Sequence, residues 1–156
     1  MPYAVQVKEL QPSTALCLRM TAPADRVSEA VHRALAGLTD GADQVGLTAS
    51  GPPEARYLSE SGSGAVWIEA SLPVASVARR TASGVVHRSG GKVAHVCHEG
   101  PYEDITDAYN ALYTWIHRKG YEVAGHATEV YLTGPADTKQ PGDYLTEIIV
   151  SVRQAP

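Results

Sequence analysis

Hydrophobic and polar positions follow two different periods along this chain. In ADRVSEAVHRALAGLTDG, residues 24–41, the apolar positions Val27, Ala30, Val31, Ala34, Leu35 and Leu38 recur at helical spacing, and Gly41 is the expected stop. In YEDITDAYNALYTWIHRKG, residues 102–120, Ile105, Ala108, Tyr109, Leu112 and Ile116 do the same, with Gly120 as the stop. Pro23 and Pro101 stand at the two helix starts, where a missing N–H costs little. Asp25, Glu103 and Asp104 lie in the first turns, favourable for the helix dipole.

Elsewhere the period is two. The stretches YAVQVKEL (3–10), TALCLRMT (14–21), GVVHRS (84–89) and GKVAHVCHE (91–99) read as strands. The first two suggest one hairpin. The last two suggest another, turning at Ser89-Gly90-Gly91. Four more strands follow the helices in pairs: ARYL (55–58) with VWIEASLPV (66–74), and EVYL (129–132) with YLTEIIVSV (144–152).

The pattern is written twice. An offset of 78 aligns Val27 with Ile105, Ala30 with Ala108, Val31 with Tyr109 and Leu38 with Ile116, and carries Glu69 onto Glu147. Across ARYL and EVYL the offset is 74, which pairs Tyr57 with Tyr131. Each copy therefore reads β-β-α-β-β, over about 3–74 and 84–152, within a single domain spanning 1–156. Residues 75–83 are the expected linker, and TGPADTKQPGD (133–143) is an expected loop. The simplest packing is α+β: an eight-stranded antiparallel sheet with both helices on one face.

Two glutamates interrupt this pattern, Glu69 and Glu147, each inside an apolar strand. Side chains alternate along a strand. Thr146, Ile148, Val150 and Val152 make the more apolar face of the last strand, so Leu145, Glu147, Ile149 and Ser151 point away from the helices. By the same rule Ile68, Ala70, Leu72 and Val74 face the helices, and Trp67, Glu69 and Ser71 do not. Val130 and Leu132 are expected toward the helices, with Glu129, Tyr131 and Tyr57 on the far face. Two readings follow. The helix-free face is a concave trough lined by aromatics with two carboxylates in it, a usual form of ligand site. Alternatively, it is the wet face of an open antiparallel sheet.

Composition sharpens the first reading. Eight Tyr, two Trp and no Phe mean that nearly every aromatic carries a polar tip, as suits half-wet sites. A net charge of −4 without a Lys/Arg stripe lacks the footprint of a nucleic-acid binder; Arg79-Arg80 is an isolated pair. Cys17 and Cys97 form no metal or redox motif and read as small buried hydrophobes inside apolar strands. His32, His87, His95, His98, His117 and His126 show no metal spacing; His95 and Cys97 share a strand face, but two ligands do not make a zinc site. Trp115 reads as core at the edge of its helix stripe, and Gly62 and Gly64 as a plain loop. No stretch approaches the ~20 apolar residues that span a membrane, and no signal pattern opens the chain, so a cytoplasmic protein without a cofactor is expected.

The string HEGPYEDITDAYNALYTWI (98–116), with GYEVAGHATEVYL (120–132) and YLTEIIVSV (144–152), resembles the GyrI-like small-molecule-binding domain, which is also the effector-binding domain of AraC-type and MerR-type multidrug regulators. The resemblance implies a pseudo-two-fold pair of β-α-β-β units, SHS2-like, with a ligand trough that takes lipophilic, often cationic, aromatic compounds. It places Tyr57, Trp67, Glu69, Tyr102, Tyr131 and Glu147 in the ligand site. No helix-turn-helix segment precedes the first strand, so the resemblance is to stand-alone members, thought to sequester toxic compounds. Direct binding to nucleic acid is not expected. Two alternatives accompany it. One is a hydrolase of strained xenobiotics that open at a cyclopropane ring, in which Glu69, Glu147 and Tyr131 would be catalytic, two carboxylates with pKa values pushed apart serving as acid and base. The other is a gyrase-inhibitor-like module with a protein partner.

Overall fold

The computed structural model describes residues 3–60, 64–75 and 84–156. The expected linker beyond Ala75, the Arg79-Arg80 pair and Gly62 lie outside the described residues. The elements in chain order are strands β1 (Gln6–Leu10) and β2 (Ser13–Pro23), helix α1 (Val27–Gln44), strands β3 (Glu54–Glu60), β4 (Ala65–Val74), β5 (Val85–Arg88) and β6 (Gly91–Glu99), helix α2 (Thr106–Arg118), and strands β7 (Tyr121–Val123), β8 (Thr128–Thr133) and β9 (Leu145–Gln154). The chain is α+β and its described strand pairs are antiparallel. The short β7 is a strand beyond the eight expected; it pairs with β9.

Two compact units form. One is built from residues up to Leu10 together with Gly91–Pro156, the other from Gln11–Gly90. The expected hairpins are absent. Strand β1 pairs with β6, from Gln6↔His95 to Leu10↔Gly91, and β2 pairs with β5, from Ser13↔Arg88 to Leu16↔Val85. Each copy thus lends its leading strand to the other copy. Alternation fixes which way a strand's side chains point, but not which strand it pairs with. The longer closure is cheap, about 0.6 kcal/mol per doubling of loop length. Ser89-Gly90-Gly91 is accordingly the crossing between units, with both glycines at positive φ.

In the first unit, β9 lies between β6 and β8, and α2 packs on β6 and β9. Ala94 and Val96 of β6, Ala108, Leu112 and Ile116 of α2, and Ile148, Val150 and Val152 of β9 make its core. Burying a side chain such as Ile148 contributes about 1.5–3 kcal/mol. Trp115 packs against this core and stacks on Tyr121 at 6.0 Å. In the second unit, β4 lies between β2 and β3, with α1 packed on β4 and β2. Ile68, Ala70, Leu72 and Val74 are buried there, as are Val31, Ala34, Leu35 and Leu38. Helix α1 does not stop at Gly41. It continues to Gln44 because Ala42, one turn past Leu38, extends the buried stripe. Helix α2 ends at Arg118, just before Gly120, as its pattern predicts. A one-turn 3-10 helix after Pro23 and another after Pro101 lead into the two helices.

The strand faces of β4 and β9 are as their alternation predicts. Those of β3 and β8 are not. In β8, Glu129 pairs with Ile148 and Tyr131 with Thr146, so both point to the helix side, while Val130 pairs with Glu147 on the far face. In β3, Tyr57 pairs with Ile68 and so shares the helix side. Directly opposed residues of an antiparallel pair point the same way. Leu58 and Leu132 sit at matching irregularities, between Tyr57 and Ser59 and between Tyr131 and Thr133, and Leu132 is exposed. An extra residue at each bulge takes the leucine out of the alternation.

Candidate functional site

The helix side of the first unit carries a cluster that alternation alone assigns to the other face. Glu129 is 8% exposed. The Tyr109 hydroxyl, from α2, donates to its Oε2 at 2.5 Å, and the Tyr131 hydroxyl donates to its Oε1 at 2.9 Å. Two phenols on one carboxylate offset part of the cost of burying a charge. Around them lie further tyrosines. The Tyr102 ring meets Tyr131 edge-on at 5.9 Å and stacks on Tyr144 at 5.0 Å. Tyr109 stacks on Tyr113 at 6.4 Å. The Tyr102 phenol is pushed up to about 12, first by burial and then by Tyr144, Glu129 and Asp137. That shift reports a partly dry, negatively charged surrounding.

The loop from Thr133 to Tyr144 holds one edge of this cluster. Gly134 N–H donates to Asp137 Oδ2 at 2.9 Å, and a side chain at Gly134 would press on the Tyr102 hydroxyl at 3.2 Å. Thr146, wholly buried, lies opposite both His98 and Tyr131.

The opposite face of the same unit holds Glu147. Its Oε2 accepts from Lys8 Nζ at 2.5 Å, and His95 Nδ1 lies 2.9 Å from the same oxygen but outside hydrogen-bond geometry. Cys97 is its direct cross-strand partner. Burial first, then the Glu147 carboxylate, raise the Cys97 thiol, and Lys8 lowers it. In the second unit, Glu69 accepts from Arg19 and from Arg56, each at 2.9 Å. Glu69 thus has basic partners on both adjacent strands, β2 and β3, and Glu147 has His95 on adjacent β6 and Lys8 one strand further, on β1. Ion pairing on the helix-free face offsets the cost of placing these carboxylates in apolar strands.

Of the predicted ligand residues, the first unit brings Tyr102 and Tyr131 together, on the face away from Glu147. Tyr131 and Glu147 point to opposite faces of the sheet. In the second unit, Trp67 is 44% exposed on the face of Glu69, and Tyr57 is on the other. Glu129, Tyr109 and Tyr144 join this cluster without being among the residues the sequence points to. A signal for two of them exists in the repeat. Glu129 aligns with Ala55 and Tyr109 with Val31, so a carboxylate and its donor replace two apolar core residues in one copy only. Among the described residues no cluster of three or more His, Cys, Asp or Glu is arranged to hold a metal ion, and no helix is long and apolar enough to cross a membrane.

The family model described as GyrI-like small molecule binding domain matches residues 83–153. The C-terminal domain of EcmrR shares the fold at a TM-score of 0.83 and 19% identity, over 99% of this chain and 100% of that one. EcmrR in its DNA complex matches at a TM-score of 0.80 and 19% identity over 98% of this chain, which spans only 58% of EcmrR's length there. SAV2435 bound to tetraphenylphosphonium matches at a TM-score of 0.66 and 14% identity, over 98% of this chain and 94% of that one. No match was found among curated proteins. Fold and family match together define an α+β domain of the small-molecule-binding class. The match to the GyrI-like small molecule binding domain falls on the second copy of the repeat, residues 83–153.

Proposed function

We propose that this domain binds lipophilic aromatic cations, and that Glu129 with its surrounding tyrosines is the recognition site. The observation that carries the reading is the buried Glu129 carboxylate held by the hydroxyls of Tyr109 and Tyr131, with the rings of Tyr102 and Tyr144 beside them. A carboxylate in such surroundings gains from a bound cation, and each aromatic face adds about 0.5–2 kcal/mol of cation–π attraction. Flat rings tolerate many ligand shapes, so broad, multidrug-like specificity follows. The tetraphenylphosphonium complex of SAV2435, a fold relative, supports the choice of ligand class. Sequestration of toxic compounds is the role this chemistry serves.

The test is a tryptophan-fluorescence or calorimetric titration with tetraphenylphosphonium and with neutral triphenylphosphine oxide. Saturable binding that favours the cation supports the proposal. Equal affinity for both, or no saturable binding, overturns it.

A further inference from the structure

We infer that His98 is a positioning residue for the tyrosine site, acting through Pro101 on the ring of Tyr102; the inference rests on the function proposed above. His98 is 2% exposed at the end of β6. Its Nε2 lies 3.0 Å from the carbonyl oxygen of Pro101. A carbonyl only accepts, so Nε2 carries the proton. In the neutral ring Nδ1 is then the acceptor, and it lies 3.0 Å from the Tyr3 hydroxyl, which donates to it. Both ring nitrogens are committed, which fixes the tautomer and the ring plane.

The residue after Pro101 is Tyr102. Pro101 O also accepts from Asp104 N–H at 3.2 Å, so one carbonyl ties His98 to the turn that begins the path into α2. Between them, Gly100 N–H donates to the carbonyl of Tyr144 at 2.8 Å. Gly100 has φ +132°, and a Cβ there would point at the His98 ring, 3.7 Å from Nε2. A side chain is strained at that φ, so glycine is required. The five residues His98 to Tyr102 thus link the backbone of Tyr144 to that of Tyr102, and these two rings stack at 5.0 Å. His98 sets the pair by hydrogen bonding, without a place in the tyrosine cluster.

The test uses amide variants that each keep one half of the imidazole. His98→Gln puts a donor where Nε2 stands; His98→Asn puts its amide where Nδ1 stands and loses the Pro101 bond. Ring signals of Tyr102 and Tyr144 are followed by NMR in protein with carbon-13 tyrosine, without ligand, and tetraphenylphosphonium affinity is measured in parallel. His98→Asn is expected to shift both ring signals and to weaken the cation roughly tenfold, as loss of one buried hydrogen bond would. His98→Gln is expected to keep the wild-type signals and affinity within about threefold. Tyr3→Phe, which leaves the Pro101 bond intact, should keep the Tyr102 and Tyr144 signals. Identical ring signals in the Asn and Gln variants overturn the inference, and so does a Tyr3→Phe shift as large as that of His98→Asn. Should the wild type fail to bind tetraphenylphosphonium, the function proposed above falls, while the ring signals still decide what His98 positions.

Discussion

The hydroxyl of Tyr109 donates to Glu129 Oε2 at 2.5 Å, reaching from helix α2 to strand β8. This bond joins the helix to the sheet at the one place where the strand's charged residue turns inward. Replacing Tyr109 by Phe keeps the ring and removes the donor to a buried carboxylate. The expected cost is about 1–3 kcal/mol in urea unfolding, with little change in the denaturant slope. A cost below about 0.5 kcal/mol, the range of ordinary surface substitutions, would show that the bond is not structural.

Alkaline stability follows from Tyr102. Its phenol is raised from 10.0 to about 12, chiefly by burial. Deprotonation is therefore harder in the folded chain than in the unfolded one. The stabilisation is complete below pH 10 and is lost as pH rises from 10 through about 12. Tyr102→Phe should lose stability less steeply across that window, read as thermal midpoint against pH. Parallel curves for the two proteins would contradict the burial of this phenol.

The sheet face of Glu147 has a reporter of its own in Cys97. Glu147 raises this thiol and Lys8 lowers it. Glu147→Gln should therefore speed its reaction with a disulfide reagent at pH 8, since a lower thiol pKa leaves more thiolate to react. Lys8→Met should slow it. Rates that move the other way would place Glu147 away from Cys97. A Cys17→Ser background isolates the Cys97 signal.

Much of this architecture is legible in the sequence, and the failures have one cause. Helical spacing locates α1 and α2, and alternation orients β4 and β9, because burial of Ile68, Ile148, Val150 and Val152 dominates there. Alternation misorients β8. It counts Glu129 as polar and sends it outward, yet the hydroxyls of Tyr109 and Tyr131 make its inward position affordable. Those donors come from other positions in the chain, so no local window contains them. Partner choice is equally non-local: the strand pattern of β1 is satisfied as well beside β6 as beside β2. The tyrosine-rich composition points to aromatics grouped around polar partners, and Tyr102 with Tyr131 lies in such a cluster. Glu147, the carboxylate within the apolar last strand, belongs to an ion pair with Lys8 on the opposite face.

The most direct test of the account compares two substitutions in one titration. Glu129→Gln and Glu147→Gln are each titrated with tetraphenylphosphonium and with neutral triphenylphosphine oxide. Glu129→Gln should weaken the cation at least about tenfold, roughly 1.4 kcal/mol, and change the neutral compound little. Glu147→Gln should leave the ratio of the two affinities as in the wild type. A loss of cation preference in Glu147→Gln, with Glu129→Gln unchanged, would contradict the assignment of the recognition carboxylate to Glu129.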